Sequence, residues 1–545
     1  MHQAPRSPSM HWQAYPLPFI RHEAHFGRLV RAFAERAPNV VAMLASTVAR
    51  FPLHEAVVDG ERRVTYAQLA QQCARIGANL SAAGVGPGDR VALLCGNSLE
   101  FLTTLLGVLH AGAIAVPLNV REQRPELTYI LNQCAARAIV FDAALADRLP
   151  DAYEAPALSV RFAIGDGCPQ ARDFAELLAS AGESAPVPDA VSVREGECAV
   201  VLYTSGTTGR PKGAMLTHFN IVHSVLHFVG CMRLDDRDRS MLAVPASHVT
   251  GLVAILLTMV ACGGCTLVLR EFRGQDFLAL AARERMTHTL IVPAMYTLLM
   301  RHRDLEAHDL SAWRIGAFGG APMPEGTLRL LAQELPGLTL VNAYGATETT
   351  SPTTIMPLGL QPDHLDSVGV VVPCGDVRVM DEHGREVPRG REGEIWIAGP
   401  MVVPGYWNDP EANTRELAGG YWKSGDIGAT DAEGFVRLFD RKKDLVNRGG
   451  YKVYSAEVES VLSLHPDVIE AAIVARPDPV LGEKTEAIVV PRAADVDADA
   501  LRAHSARQLA DYKVPDFVTF RGAPLPRNAN GKVMKSLLRE QYGRP

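Results

Sequence analysis

The sequence carries no surplus of basic residues: 54 Lys and Arg stand against 61 Asp and Glu, a formal net charge of −7. A chain of that sign has no electrostatic footprint for nucleic acid or an anionic membrane. It has no disulfide framework. Its nine cysteines are odd in number and scattered, which points to a reducing, cytoplasmic setting. Cys262 and Cys265 form a C-x-x-C, yet no second ligand pair follows at zinc-site spacing, so they read as small buried apolar residues. The N-terminus has no apolar signal-peptide segment; Pro, Arg and His are spread through it instead. There is no internal repeat. One uncharged run, 250–269, has the length of a membrane span. Gly263-Gly264 splits it into a buried helix over 252–260 and a buried strand over 266–269, so no transmembrane segment is expected.

What is present fits a large globular enzyme. At 545 residues, 47% hydrophobic and 21% charged, the chain is too long for one core and implies a large region with a smaller domain. Thr65 is a plausible N-cap. Leu69, Cys73, Ile76 and Leu80 then share one helical face, and Gly84 can end the helix. A strand over 90–94, a helix over 99–110 and a strand over 113–118 give the β-α-β rhythm of an α/β fold. It resumes at 198–203, 289–292 and 338–342. From about residue 360 to 438, short strands with Gly and Pro turns, such as 393–398, suggest a smaller β-rich subdomain. The charge cluster Asp440-Arg441-Lys442-Lys443-Asp444 reads as an exposed hinge before a final domain. The Ala/Asp stretch 493–500 reads as a solvated loop. The expected division is an N-terminal extension over 1–40, a large domain over 41–440 and a small one over 441–545.

The most informative segment is Tyr203-Thr204-Ser205-Gly206-Thr207-Thr208-Gly209-Arg210-Pro211-Lys212-Gly213, which follows an apolar strand. Glycines let backbone N–H groups approach an anion, hydroxyls donate further hydrogen bonds to phosphate oxygens, and Lys212 adds a point charge. It is not the common P-loop, because G-x-x-x-x-G-K-[ST] is not met.

The string closely resembles the phosphate loop of the adenylate-forming superfamily: acyl-CoA synthetases, luciferase-like enzymes and the adenylation domains of peptide synthetases. Further segments resemble that family in order along the chain. Gly319-Gly320-Ala321-Pro322 looks like the turn that packs on adenine, and Asn342-Ala343-Tyr344-Gly345-Ala346-Thr347-Glu348 like the nucleotide motif. The resemblance implies that Tyr344 stacks on adenine, Thr347 bonds the α-phosphate and Glu348 holds Mg2+, a hard cation suited to carboxylate and phosphate oxygens. Tyr421-Trp422-Lys423-Ser424-Gly425-Asp426 resembles the ribose motif, with Arg441 joining Asp426 there. Lys443 falls at the family's hinge position, and Gly449-Gly450-Tyr451-Lys452 matches the loop lining the thiol tunnel. Pro524-Leu525-Pro526-Arg527-Asn528-Ala529-Asn530-Gly531-Lys532 resembles the loop of the catalytic lysine. His248 matches a position beside the acyl carbonyl, where it would orient the carboxylate; a hydrogen-bonded structural histidine is the alternative.

The resemblance implies two α/β sheets with packed helices, a small β-rich subdomain and a small mobile α+β C-terminal domain. It implies an ATP-dependent acyl-CoA ligase with ATP, Mg2+ and coenzyme A as cofactors. The implied catalytic set is Lys532, His248, Thr347 and Glu348. The small domain would swing about Lys443 between adenylation and thiolysis. No acid lies in Ala246-Ser247-His248-Val249-Thr250 to pair with an α-ammonium, and no carrier-protein segment follows Lys532. The expected substrate is a monocarboxylic acid of modest size, with Phe318 shortening or flattening its pocket. A carrier-loading adenylation enzyme, a luciferase-like oxidase and a silent nucleotide-binding regulator are the rival readings. The intact Glu348, Asp426, Arg441 and Lys532 argue against the last. A homodimer stays open, and the first 40 residues carry no assignable role.

Overall fold

A computed structural model describes residues 9–179, 189–204, 210–302, 305–321, 323–493, 496–528 and 532–543. The chain packs as two compact units: Met1–Val377 with Ile397–Trp422 and Ala432–Val436, and Arg378–Trp396 with Lys423–Asp431 and Arg437–Pro545.

Unit 1 is built on two α/β sheets. In the seven-stranded sheet the parallel strands Ile114–Pro117, Arg90–Leu94, Ala138–Asp142 and Val160–Ile164 lie in that spatial order. Next to Ile114–Pro117 the sheet closes on an antiparallel hairpin, Cys198–Thr204 with Lys212–Thr217. In the nine-stranded sheet the parallel run is Thr339–Tyr344, Ile315–Phe318, His288–Ile291, Arg239–Leu242, Cys265–Val268 and Glu55–Asp59. Most of these strands are buried along nearly their whole length, as a parallel sheet covered on both faces requires.

The local signals hold. Thr65 caps the helix Tyr66–Ala82 in a capping box with Gln68, and Gly84 follows it at φ +90°. Ser98 caps the helix Leu99–His110, in which every residue up to Leu109 except Glu100 is buried. The uncharged run forms a π-helical turn, Thr250–Leu257, an α-helix, Thr258–Cys262, and a strand, Cys265–Val268. Among the described residues no helix is long and apolar enough to cross a membrane. Cys262 and Cys265 are free and buried, and burial pushes both thiols up to about 12.

The N-terminal residues are structural. The Trp12 indole N–H donates to the Val371 carbonyl at 2.8 Å, and Leu358 N–H donates to the Tyr15 hydroxyl at 3.0 Å. The hairpin Ile20–His25 with Arg28–Phe33 buries Ala32 and Phe33 completely. Arg28 donates to the carbonyls of Gly420 and Val402 at 2.7 and 2.9 Å, fastening a segment nearly 400 residues away in sequence.

Unit 2 holds most of the residues of the strands Gly393–Ala398, Tyr421–Thr430 and Val436–Arg441, followed by an α+β region. Its long hairpin, Val468–Asp478 with Gly482–Pro491, alternates between two faces beyond a register shift at Val468–Glu470. Ile473, Ala487 and Val489 pack with Val458, Leu462 and Leu501 from the helices Ser455–Ser463 and Ala498–Ala506. Ala472, Val474, Ile488 and Val490 turn to the other face, against Leu538 of the helix Lys535–Tyr542. The expected solvated loop at 493–500 is corrected in part. Asp497 caps a helix that begins at Ala498, while 494–495 lie outside the described residues.

Candidate active site

Parallel strands end at the same edge of a sheet, where ligands of α/β folds bind. In unit 1 the strand Arg239–Leu242 leads to His248, Ile315–Phe318 to Gly319-Gly320-Ala321, and Thr339–Tyr344 to Gly345–Glu348. The three belong to one parallel run, so three of the predicted motifs share one sheet edge.

The backbone there admits little choice. A Cβ on Gly345 would lie 1.3 Å from the Ser351 carbonyl oxygen, so only glycine lets the turn close. Thr347–Thr349 form a single 3-10 turn, and Thr350 and Ser351 follow at φ +49° and +94°. Two consecutive left-handed non-glycine residues are strained, and such strain gathers at functional sites. The Asn342 amide donates to the Ser367 carbonyl at 3.1 Å, so its side chain braces the neighbouring loop. His248 Nδ1 lies 3.1 Å from the Thr250 hydroxyl and accepts the Thr250 N–H at 3.3 Å, which leaves the ring proton on Nε2 as a donor.

Glu348 is 8% exposed. Burial raises its carboxyl above the ordinary range, opposed by the nearby Lys212 and by Tyr406, whose hydroxyl lies 3.0 Å from Glu348 Oε1. The same hydroxyl lies 2.6 Å from Glu416 Oε2 and accepts the Trp422 indole N–H at 3.3 Å. Lys212 Nζ meets both Glu416 oxygens at 2.6 Å and sits 4.4 Å from the centre of the Tyr406 ring. Burial raises the Glu416 carboxyl, but the hydrogen bonds from Lys212, Tyr406 and Arg415 outweigh it and hold the group ionised below its usual range. Burial keeps the Tyr406 hydroxyl protonated. Tyr406 and Glu416 were not singled out from the sequence. Asp409-Pro410 does mark the start of the helix that ends at Glu416, but nothing local says that this helix reaches a lysine 204 residues earlier.

Of the phosphate loop, Thr204 and Lys212 are described and form the last pair of their hairpin. Ser205, Gly206, Thr207, Thr208 and Gly209 lie outside the described residues, as does Pro322.

Unit 2 brings together the predicted ribose pair. Arg441 Nε lies 2.8 Å from Asp426 Oδ1, and its guanidinium also donates to the Ser424 carbonyl at 3.1 Å. The Ser424 hydroxyl accepts Asp426 N–H at 3.0 Å and donates to the Ile395 carbonyl at 2.6 Å, which fixes the Asp426 backbone. The Lys443 carbonyl accepts from Arg539 of the C-terminal helix at 2.6 Å, and Arg539 also pairs with Asp444 at 3.2 Å. Gly449 and Gly450, at φ +59° and +90°, form the two-residue turn between Val446–Arg448 and Tyr451–Val453, the conformation a tight hairpin demands. Tyr451 is 59% exposed and stacks on Tyr512 with ring centres 4.7 Å apart. Lys452 and Lys532 are exposed. Asn528 N–H donates to the Lys532 carbonyl at 2.9 Å, and the Asn528 side-chain oxygen accepts Lys532 N–H at 3.0 Å, pinning the lysine's backbone.

Comparison with known proteins gives the family. A family model described as AMP-binding enzyme matches residues 44–407, and one described as AMP-binding enzyme C-terminal domain matches 457–532. A feruloyl-CoA synthase of an Amycolatopsis species is 35% identical over 493 residues, covering 90% of this chain and 96% of that protein. A long-chain-fatty-acid–CoA ligase, FadD13, of Mycobacterium tuberculosis is 34% identical, covering 92% and 98%. Among solved structures, ATP-bound MatB from Rhodopseudomonas palustris aligns with a TM-score of 0.84 at 32% identity, over 93% of this chain and 99% of that one. The chain thus belongs to the AMP-binding enzyme family, in the adenylate-forming superfamily, and is an acyl-CoA synthetase: an ATP-dependent acid–thiol ligase that uses coenzyme A.

Proposed function

We propose that the enzyme joins a monocarboxylic acid of modest size, aliphatic or aromatic, to coenzyme A through an acyl-adenylate, in the cytoplasm. The observation that carries the role assignments is the shielded cluster in which Glu348 is linked through Tyr406 to the Lys212–Glu416 pair next to the phosphate loop.

In the first half-reaction a carboxylate oxygen attacks the α-phosphorus and pyrophosphate leaves. No general base is needed, because an acid with a pKa of roughly 4 is already ionised. The barrier is that an anion must attack an anion, so positioning and charge neutralisation do the catalysis. Tyr344 and the Gly319-Gly320-Ala321 turn take the adenine, Thr347 the α-phosphate, and Asp426 with Arg441 the ribose. A buried carboxylate beside the phosphate loop suits Mg2+, which prefers carboxylate and phosphate oxygens; Glu348 would hold it, and the ion supplies positive charge at the phosphates. His248 directs Nε2–H at the acid's carboxylate. Lys532 supplies a further cation; at about 4 Å and an effective dielectric near 20 that is roughly 4 kcal/mol, about a thousandfold in rate.

In the second half-reaction the thiol sulfur attacks the acyl carbon, AMP leaves and the thiol proton passes to solvent. Gly449-Gly450-Tyr451-Lys452 lines the thiol's approach, and Lys443 is the pivot between the two steps.

The acid class rests on the lack of a carboxylate in 246–250 and on the bulk of Phe318 at the end of its strand, which we take to shorten or flatten the acid pocket. Relatives named for feruloyl and indoleacetate support an acid of that size, and one named for long-chain fatty acids supports the monocarboxylate class alone. The test is a panel of carboxylic acids assayed for AMP release with and without coenzyme A. AMP and an acyl-CoA thioester should appear together for aliphatic or aromatic monocarboxylates. Preference for a dicarboxylate or an amino acid would contradict the acid class.

A further inference from the structure

A lysine that must meet phosphates cannot also be left loose, because a four-carbon stem explores many rotamers. Lys212 is not loose. It is the first residue of the strand that leaves the phosphate loop, its Nζ is clasped by both oxygens of Glu416 at 2.6 Å, and its charge lies over the Tyr406 ring. The clasp is itself anchored. Glu416 is the last residue of the helix Pro410–Glu416, whose start is capped by Asp409 and whose Asn413 accepts Tyr406 N–H at 2.6 Å. The segment bearing Tyr406 is stitched to the lysine's strand: Met215 N–H donates to Gly405 O at 3.0 Å and Trp407 N–H to Gly213 O at 2.7 Å. The side chains of Lys212 and Glu416 are 13% and 21% exposed, so the pair is shielded but still open to solvent on one side.

We propose that Glu416 is a positioning residue for adenylation: through the Tyr406 ring and its own carboxylate it sets the Lys212 ammonium at the base of the phosphate loop, facing the nucleotide's phosphates. This rests on the reading that Lys212 serves the triphosphate. Glu416 touches neither substrate nor nucleotide, and it acts through the lysine. A surface ion pair would add little, but a shielded, bidentate, charge-assisted pair fixes geometry as well as charge.

The test is equilibrium binding of α,β-methylene-ATP with magnesium, without acid or coenzyme A, so that no turnover enters the readout. Glu416→Gln should weaken binding about tenfold, the size expected for losing one charged hydrogen-bonding partner. Glu416→Asp, which keeps the charge at shorter reach, should recover part of it. Lys212→Ala should weaken binding at least as much, and adding Glu416→Gln to it should cost nothing more, since coupled groups are not additive. In steady state the loss should fall on the KM for ATP, with the KM values for acid and coenzyme A unchanged. The charge-swapped pair, Lys212→Glu with Glu416→Lys, should recover thermal stability over either single variant without recovering nucleotide binding. Wild-type binding by Glu416→Gln while Lys212→Ala loses it would overturn the proposal and leave Lys212 in the nucleotide site. Recovery of binding by the swapped pair would also overturn it, as the mark of a purely structural tie. No loss in Lys212→Ala would sink the reading of the lysine itself, and the proposal with it.

Discussion

The two units hold the side chains assigned to the site in different ways. In unit 1 the polar side chains of the site are buried or half-buried and already paired: Glu348 is 8% exposed, and Lys212, Glu416, Tyr406 and Trp422 form one network. In unit 2 the groups assigned to single steps are exposed side chains on fixed backbones. Lys532 is exposed behind its paired backbone with Asn528, and Tyr451 is 59% exposed beyond a two-glycine turn. Asp426 is the exception in unit 2, 7% exposed and paired with Arg441. Buried, pre-paired groups suit a ligand held through the whole cycle, because their geometry needs no reorganisation. Exposed groups on rigid turns suit a role in only one step, since they can enter and leave water cheaply.

That contrast can be broken at its strongest point by separating the half-reactions. Lys532→Ala should lower acyl-adenylate formation about a thousandfold, measured as acid-dependent pyrophosphate exchange, while thiolysis of a supplied acyl-adenylate falls about tenfold or less. Lys443→Pro should give the mirror image, with thiolysis lost about a hundredfold and exchange retained. Equal losses in both steps for either variant would erase the distinction.

A smaller effect sharpens the comparison through pH. Unit 1 buries His218, His223 and His227, whose imidazoles burial holds below their usual range, the first two at about 4 and about 3. Their folded forms are neutral, so the unfolded chain binds protons first as pH falls through 6.5, the ordinary histidine value. Stability is thus lost between about pH 6.5 and pH 3, at about 1.4 kcal/mol per histidine one unit below 6.5. In unit 2, His383, His465 and His504 are not buried. Trp12, Trp313, Trp407 and Trp422 report unit 1, with only Trp396 in unit 2. The tryptophan-detected melting temperature should therefore drop by several degrees between about pH 7.5 and 5.5. An unchanged value would contradict this burial.

The same contrast explains what the sequence could disclose. Signals carried by nearby residues were legible: Thr65 and Gly84 bounded a helix, and Gly263-Gly264 divided helix from strand in the uncharged run. Motif order was legible too, and Asp426 and Arg441 do meet. What stayed hidden depends on residues far apart along the chain. Glu416 gains its meaning only from Lys212, 204 positions away. Trp12 and Arg28 look like an unassigned leader until their partners at Val371, Val402 and Gly420 are seen. The π-helical turn at Thr250–Leu257 shares its apolar composition with an ordinary helix, so periodicity could not separate them.

Two-step chemistry is tested most directly by exchange of labelled pyrophosphate into ATP by the wild-type chain, with an accepted acid present and coenzyme A withheld. Acid-dependent exchange is expected, because the mixed anhydride forms before any thiol arrives. If label entered ATP only after coenzyme A was added, or if turnover released ADP, the two-step chemistry assigned to these residues would be wrong.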